Sequence, residues 1–411
     1  MKSLDRKLIL VASVCLLIGI VIAAFAFTVG GFQLETFSIG TPTDEKTYQF
    51  IGEKVNALNI RHLESDVVLT ASDDNQFHIT AYENESEHYN ISLSNSGELS
   101  IEFINNRRWY DYIKFEISPV KKALTIRVPK DYLGKIDVYS NLGDITISGL
   151  KVREAMNLNN KLGAIEIDGV ASEKQISCQS KSGNIQLKSV SSDEEIQLET
   201  NLGDIVTLDV KSLGQITVET KSGSIQVNES SAKDDILVST KNGHIELKKV
   251  TASDVNMETK FGDIEAEFVE AAGQFSVNSG NGSVKLEECI AENDLIVNLN
   301  LGDFSVASSR IAGKLYVKSS SGAIELLQTA VQGDVTLESR MGDISFMNLS
   351  GNNFFIQSFS GTVKGDIAGD VKEYTIEAKT KKGDVNVPHS ENGEKRFQVS
   401  TERGDIDIDM K

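Results

Sequence analysis

The chain has 411 residues, of which 40% are hydrophobic and 7% aromatic, with 32 glycines and only 4 prolines. This composition is typical of an ordered chain with many tight turns and few large core rings, and it excludes collagen-like and disordered chains. The formal net charge of −19 disfavours nucleic acid and anionic lipid as ligands, because both are bound through Lys and Arg.

An apolar segment near the N-terminus predicts a membrane anchor. Residues 8–29 are uncharged and mostly apolar, and a helix rising ~1.5 Å per residue over this stretch would span the ~30 Å hydrocarbon layer. Lys2, Arg6 and Lys7 precede it and an acidic stretch follows. This bias predicts a cytoplasmic tail over residues 1–7 and an extracellular bulk, as in a single-pass protein of the cell membrane.

A cleaved signal peptide is the competing interpretation of the same segment. Ala24-Phe25-Ala26 has the small-x-small form of a cleavage site. The apolar run exceeds the ~7–15 residues usual for a signal peptide core, which favours the uncleaved anchor.

Residues 30–45 are interpreted as a linker and residues 46–135 as an N-terminal β capping region. Within the latter, strands are predicted over residues 57–72, 77–82, 90–105 and 124–128 from β-branched and alternating apolar residues. This region lacks the strict spacing of the rest of the chain.

A repeat of about 20 residues organises residues 136–411. It returns a glycine, here called the corner glycine, at positions 143, 163, 183, 203, 223, 243, 262, 282, 302, 322, 342, 361, 383 and 404. The second residue after each is Ile, Val or Phe, the fourth is usually apolar, and a second apolar pair lies five and seven residues before the glycine. This period-two pattern predicts two strands per coil, each with one buried face.

Identical coils stacked in one direction pair their strands in parallel. The predicted fold is therefore all-β, an elongated parallel β-solenoid of about fourteen 20-residue coils with an N-terminal β cap and one N-terminal transmembrane helix. At ~4.8 Å between strands, the rod would be roughly 65 Å long. The final strand, residues 405–411, alternates charged and apolar residues and is predicted to be a charged edge that discourages end-to-end stacking.

The turn residues are interpreted as architectural. Ser or Thr stands three residues before the corner glycine in twelve coils, and a short hydroxyl can bond the bending backbone. Asp follows the glycine in seven coils. A calcium ladder is the alternative for these aspartates, but one carboxylate per ~10 Å offers too few ligands for a 6–8-coordinate ion.

A motif repeated along the chain is Ser/Thr-x-x-Gly-Asp-Ile-x-Ile, and it follows the strand Ala123-Leu124-Thr125-Ile126-Arg127-Val128-Pro129. In these features the chain resembles the bacterial putative-adhesin family of β-strand repeat proteins, a domain of unknown function. The resemblance covers about residues 55–411. It implies a β-repeat fold and an envelope location, since members are often tethered to the membrane of Gram-positive bacteria and sometimes linked to cell-envelope stress. It carries over no catalytic residues.

One segment is the best candidate for a partner contact. It contains the only Trp and the densest aromatics, with basic residues among them: Arg107, Arg108, Trp109, Tyr110, Tyr112 and Phe115. Aromatic and Arg side chains stack on sugars and anchor protein partners. The structural alternative is a plug over the exposed end of the first coil.

Other features favour structural interpretations. The five histidines are scattered singly, so neither a metal site nor a catalytic triad is indicated, no cofactor is expected and the chain is interpreted as not an enzyme. Arg403-Gly404-Asp405 contains a repeat turn, so its likeness to an integrin-recognition tripeptide is interpreted as coincidence. Cys178 and Cys289 are expected to be buried free thiols, about five coils apart.

Two charged columns precede the corner glycine: Lys or Arg two residues before it and Glu four residues before it. They are interpreted as exposed ion pairs on a solvated face. Binding of a wall glycan is the functional alternative.

The resulting functional hypothesis is a non-catalytic surface scaffold or adhesin, anchored in the membrane and contacting an envelope component. The alternative is a sensory or regulatory ectodomain for cell-envelope stress that acts through a membrane protein partner.

Overall fold

The structure is a computed structural model that describes residues 14, 16–22, 25, 28, 43–108 and 122–410, with the backbone alone at Asp131. Residues 14, 16–22, 25 and 28 are helical and exposed, and the remainder of the helix predicted over residues 8–29 lies outside the described residues. Within the described part of the chain, none of the helices has the length and hydropathy needed to cross a bilayer.

Residues 135–410 form a parallel β-solenoid, as predicted. Each coil has a long strand before its corner glycine, which we call the first side. These strands pair in parallel and in register from coil to coil, for example Ile216 with Ile236 and Val218 with Val238. In coils 1 to 14 the first side comprises Lys135–Leu142, Met156–Leu162, Ile176–Ser182, Ile196–Leu202, Ile216–Ser222, Ile236–Asn242, Val255–Phe261, Phe275–Asn281, Leu295–Leu301, Leu315–Ser321, Val335–Met341, Phe354–Ser360, Tyr374–Thr380 and Lys395–Arg403.

The second side follows the corner glycine, and a short third side that the sequence pattern did not reveal follows the second. In several coils the two sides form one bent strand. The strands after the corner are Ile145–Ser148, Lys151–Val152, Ile165–Asp168, Ala171–Ser172, Ile185–Ser192, Ile205–Ser212, Ile225–Asn228, Ser231–Ala232, Ile245–Ala252, Ile264–Ala271, Val284–Glu287, Ile290–Ala291, Phe304–Ala307, Arg310–Ile311, Ile324–Leu327, Ala330–Val331, Ile344–Leu349, Val363–Ile367, Val385–Asn386 and Ile406–Met410.

The core runs along the rod axis and is filled by the predicted columns. For example, Ile225 and Val227 in the strand after Gly223, and Ile236 and Val238 in the first-side strand of the next coil, are each at most 2% exposed. The two lapses in the column four residues after the corner have local causes. Thr207 is fully buried but lies 3.4 Å from the hydroxyl of Ser230. A Cβ at Gly365 would lie 2.4 Å from the ring of Phe346, so that ring fills the missing volume.

The corner glycines stack directly on one another. A Cβ added at any of the fourteen would lie 1.9–2.3 Å from the carbonyl oxygen of the residue at the same corner in an adjacent layer. Positive φ is required at ten of them but not at Gly163, Gly183, Gly243 or Gly361. Close approach, rather than positive φ alone, is therefore the common reason for glycine.

A second corner follows six residues after the first and was not foreseen. Eleven consecutive coils place this residue in the left-handed region, and only Gly149 and Gly169 among them are glycines. The other nine, with φ between 48° and 54°, are Ser189, Asp209, Glu229, Lys249, Phe268, Glu288, Ser308, Gln328 and Asn348. Left-handed backbone costs non-glycine residues roughly 1–2 kcal/mol each. The bend is imposed by neighbour pairing: the Gln328 N–H, for example, donates to the Met347 carbonyl at 2.8 Å.

The N-terminal cap contains two further layers of the solenoid. Its strands are β1 (Asp44–Ile51), β2 (Ala57–His62), β3 (Val67–Ser72), β4 (Gln76–Glu83), β5 (Glu87–Leu93), β6 (Glu98–Asn105), β7 (Leu124–Pro129) and β8 (Asp131–Tyr132), with a 3₁₀ turn at Gly52–Lys54. Strands β2 and β3 pair in parallel with coil 1 on one edge and with β6 and β7 on the other. Antiparallel pairing of β5 on β6, of β4 on β7 and of β1 on β4 closes the end.

The last coils are stacked out of chain order. Coil 14 lies between coils 12 and 13, because its strand Lys395–Arg403 pairs with both Phe354–Ser360 and Tyr374–Thr380. Its second strand, Ile406–Met410, is likewise enclosed by Val363–Ile367 and Val385–Asn386. A 3₁₀ turn at Val371–Glu373 precedes coil 13. The expectation that residues 405–411 form a charged edge is therefore wrong, since coil 13 forms the edge.

A histidine in the cap takes the place of the repeat's hydroxyl. His62 is 1% exposed, and its Nε2 accepts the Ser65 N–H at 2.9 Å while its ring stacks on Tyr89. Its neighbour Ser140 in coil 1 has the usual hydroxyl. Burial lowers the pKa of His62 from 6.5 to about 4, and Asp66 only partly offsets this.

The second corner generates a test of backbone strain. Gln328→Gly should raise the free energy of unfolding by about 1 kcal/mol, because glycine adopts the left-handed conformation without steric cost and the backbone hydrogen bond is retained. Gln186→Gly, at an exposed strand position without positive φ, should lower it by roughly 0.5–1 kcal/mol. Urea denaturation measures both. Equal destabilisation by the two variants would contradict the strain at the second corner.

The buried histidine generates a test of pH dependence. Since the pKa of His62 is lower in the folded state, its contribution is complete above pH 6.5 and is lost as the pH falls towards 4. In the parent chain, this fall in pH should lower the free energy of unfolding by up to about 3 kcal/mol. His62→Asn should remove this loss and so flatten that part of the stability profile. His389→Asn, at an exposed position, should leave the profile unchanged. Thermal melts between pH 4 and 7 measure the difference, and identical slopes for both variants would disprove the assignment.

Candidate interaction surfaces

The aspartates that follow the corner glycines form a hydrogen-bonded ladder. In six of the seven, Oδ1 accepts the backbone N–H of the same position in an adjacent layer: Asp144 from Ala164, Asp204 from Ser224, Asp263 from Ser283, Asp303 from Ala323, Asp343 from Thr362 and Asp405 from Asp384, at 2.7–2.9 Å. Asn184 accepts from Asp204 in the same way. The prediction that these residues cap the turn is confirmed.

The hydroxyl column three residues before the glycine bonds the layer beneath. Thr200, Thr220 and Thr240 each donate to the carbonyl of the preceding corner glycine at 3.1 Å. Asn160 makes the same contact through Nδ2 at 2.8 Å. Both columns therefore satisfy backbone groups at the corner. Across the described residues, no group of three or more His, Cys, Asp or Glu side chains is placed to hold a metal ion.

The predicted aromatic contact segment lies mostly outside the described residues. Trp109, Tyr110, Tyr112 and Phe115 belong to the connection between β6 and β7, and only Arg107 and Arg108 are described. Arg107 forms an ion pair with Glu87, with Nε 2.8 Å from Oε1, and both side chains are mostly buried. Within the cap, it therefore ties the start of β5 to the chain that follows β6. Arg108 is exposed.

A shallow depression of about 550 Å³ lies on the first side near the N-terminal end. Tyr139 lines it, lies opposite Arg61 in the strand register, and has the Lys161 ammonium 5.6 Å from the centre of its ring. Amide and carboxylate side chains line it as well: Asn59, Asp137, Asn157 and Asn159. Asn157 donates to Asp137 at 2.7 Å. The sequence columns place these residues outward but do not show that three layers combine them.

A groove of about 740 Å³ lies at the opposite end, beside the second side. It lies beside the register shift between Phe346 and Leu349, and Phe346 and Gly365 both line it. Asp366, Asp407 and Asp409 line it together with Lys364. Asp366 also accepts the Asn348 N–H at 2.8 Å.

The two described cysteines are buried free thiols, as predicted. Burial raises the pKa of Cys178 to about 12 and that of Cys289 to about 11, so neither forms a thiolate at neutral pH.

Arg403 and Asp405 are exposed at the corner of Gly404, and the Asp405 carboxylate accepts the Asp384 N–H. The tripeptide thus takes part in the repeat turn.

The expected pairing of basic and acidic columns on the first side is wrong. Among the described residues, Lys181, Lys221, Lys241, Lys260 and Arg340 have no ion-pair partner. The ion pairs observed elsewhere commonly join equivalent positions of successive coils, as in Arg153 with Glu173, Lys174 with Glu194 and Lys188 with Asp168. The basic column remains exposed to solvent.

The repeat model of one protein family matches nearly the whole solenoid. Three overlapping matches to Toastrack DUF4097 cover residues 55–286, 205–328 and 271–411. The chain belongs to the Toastrack DUF4097 family. This confirms the resemblance to a family of β-strand repeat proteins of unknown function. No curated protein matches the chain.

Two solved structures are similar over most of the Toastrack chain. One is titled a putative cell adhesion protein from Clostridium sporogenes, with 8% identity, coverage of 90% of this chain and 100% of the other, and a TM-score of 0.17. The other is titled a putative lipid binding protein from Parabacteroides distasonis, with 12% identity, coverage of 90% and 98%, and a TM-score of 0.17.

The aspartate ladder generates a test of its role. Asp204→Ala should lower the free energy of unfolding by roughly 1–3 kcal/mol, because the Ser224 N–H loses its acceptor. Asp204→Asn should cost much less, since Asn184 already serves the same function one layer away. Calcium or a chelator should leave the melting temperature of the parent chain unchanged. A calcium-dependent rise in that temperature would favour the metal ladder instead.

Proposed function

We propose that this Toastrack protein is a non-catalytic surface scaffold, or adhesin, anchored in the bacterial cell membrane with its solenoid outside. The observation that carries the proposal is the rod itself. Sixteen layers, two in the cap and fourteen beyond it, extend roughly 70 Å at ~4.8 Å per layer. A rod of this regularity suits a spacer that holds a contact surface away from its attachment point.

The attachment is assigned to the apolar segment of residues 8–29. Its basic flank favours a cytoplasmic N-terminus, and its length matches a hydrocarbon layer of ~30 Å. The segment should keep the full chain in a carbonate-resistant membrane fraction, and protease added to intact cells should degrade the solenoid. N-terminal sequencing of the mature protein distinguishes an anchor from a cleaved signal.

The contact surface is assigned to the depression around Tyr139. A tyrosine ring offers an apolar face and a polar tip, while asparagine amides both donate and accept hydrogen bonds. This combination suits the hydroxyl-rich, partly apolar surface of a wall glycan. Arg61 and Lys161 contribute two positive charges beside the single Asp137 carboxylate, so an anionic wall polymer is favoured at this position although the whole chain has a net charge of −19.

The contact is tested by co-sedimentation of the full-length protein, reconstituted in nanodiscs, with purified cell-wall polymer. Tyr139→Ala should weaken binding by roughly tenfold, which corresponds to about 1.4 kcal/mol. Tyr316→Ala is the matched control, because Tyr316 also faces outward from the first side, nine layers away. Equal loss of binding in both variants would contradict the assigned surface.

A regulatory ectodomain predicts a different result. In that case the protein would not bind the polymer but would co-purify stoichiometrically with a membrane protein from detergent extracts. Hydrolysis of the polymer by the purified protein would exclude both functions.

A further inference from the structure

Three parallel ridges run along the corner of the rod, and the turn hydrogen bonds already described use only one carboxylate oxygen of each aspartate in them. The residue before the corner glycine is apolar and exposed in six coils. The side chains of this apolar ridge are between 41% and 55% exposed: Leu142, Leu162, Leu202, Phe261, Leu301 and Met341. They extend over eleven layers, or ~48 Å. Exposed apolar side chains that recur along one line, rather than singly, mark an interaction surface.

The apolar ridge is flanked by opposite charges. On the first side, two residues before the glycine, lies a basic ridge formed by Lys161, Lys181, Lys221, Lys241, Lys260 and Arg340. On the second side, immediately after the glycine, lies an acidic ridge formed by Asp144, Asp204, Asp263, Asp303 and Asp343. Every basic residue lies in the same layer as an aspartate of the acidic ridge or one layer from it. From the first side to the second, the three ridges at the corner are therefore basic, apolar and acidic.

We propose that this corner is a self-complementary interface through which two copies of the chain pair side by side with their rods parallel. A twofold axis parallel to the rod reverses the order of the ridges across the contact. The basic ridge of each copy then faces the acidic ridge of the other, and the apolar ridges meet at the centre. Lys260 lies opposite the partner subunit's Asp263, and Arg340 opposite the partner subunit's Asp343.

Antiparallel pairing is disfavoured by the same charges. A twofold axis perpendicular to the rod preserves the order of the ridges, so that basic would face basic and acidic would face acidic. Like charges in contact disfavour an association strongly. The parallel orientation thus follows from the order of charges at the corner, without reference to a membrane anchor.

The size and the net charge set the strength of the pair. The three ridges comprise seventeen residues per copy, and the intervening positions of the same three columns bring the eleven layers to about thirty, close to the 20–30 of a standard interface. Two chains of net charge −19 also repel one another. The pair is therefore expected to be weak in dilute solution, and chemical trapping is a better probe than sizing.

The experiment traps the pair with a short bis-maleimide cross-linker on the full-length protein in detergent. The background variant is Cys15→Ser, since Cys178 and Cys289 are buried. Ser182→Cys and Ser321→Cys place a thiol on the apolar ridge in coils 3 and 10, in the gaps between the large side chains. Gln186→Cys is the matched control, exposed in coil 3 but on the second side.

Parallel pairing predicts that Ser182→Cys and Ser321→Cys each cross-link to themselves roughly tenfold more than Gln186→Cys, a difference of about 1.4 kcal/mol. Mixing the two ridge variants should give no mixed product, because their layers are ~34 Å apart in a parallel pair. A dominant mixed product would show an antiparallel pair and overturn the proposal. Yields no higher than those of Gln186→Cys would also overturn it.

The charges are tested on the same background. Lys260→Glu combined with Arg340→Glu places like charges opposite the partner subunit's Asp263 and Asp343, and should reduce the Ser182→Cys product to the level of the control. Lys188→Glu combined with Lys318→Glu, at exposed positions away from the corner, changes the net charge equally and should leave most of the product. If both double variants reduced the yield of the cross-linked product equally, the effect would be due to net charge alone. That result would exclude the ridge contact.

Discussion

The close approach of one coil to the next at the corner glycine is the constraint on which the rest of the rod depends. A carbonyl of the adjacent layer occupies the position of a Cβ at all fourteen corners, at 1.9–2.3 Å. This contact gives successive layers the same spacing. Equal spacing keeps the strands in register and aligns the core columns. The hydroxyl and aspartate ladders then satisfy the backbone groups exposed by the tight turn.

Regular stacking also creates costs, and the chain distributes them over many layers. Nine non-glycine residues adopt left-handed backbone at the second corner, because pairing on both sides leaves no other path. The strain at each is small compared with the burial of four or more apolar side chains per coil. A solenoid therefore tolerates a column of varied residues where an isolated turn would require glycine or asparagine.

The two ends are protected by different means. At the N-terminus, antiparallel strands cover the parallel layers, while at the C-terminus the last coil is inserted between its two predecessors. Insertion pairs the terminal strand on both edges and so prevents it from fraying. The two longer intervals, of 22 residues before Gly383 and 21 before Gly404, accompany this exchange and are its trace in the sequence.

The sequence by itself determined the fold class, the corner glycines and the inward columns, because each repeats a local requirement about fourteen times and chance cannot imitate it. The buried thiols follow from these columns, since Cys178 and Cys289 lie in apolar positions of the repeat. Only the tertiary structure decided the second corner, the order of the last coils and the depression around Tyr139. The second corner is imposed by pairing with neighbours rather than by residue type. The coil order and the depression depend on which layers become adjacent, and spacing along one chain does not contain that information.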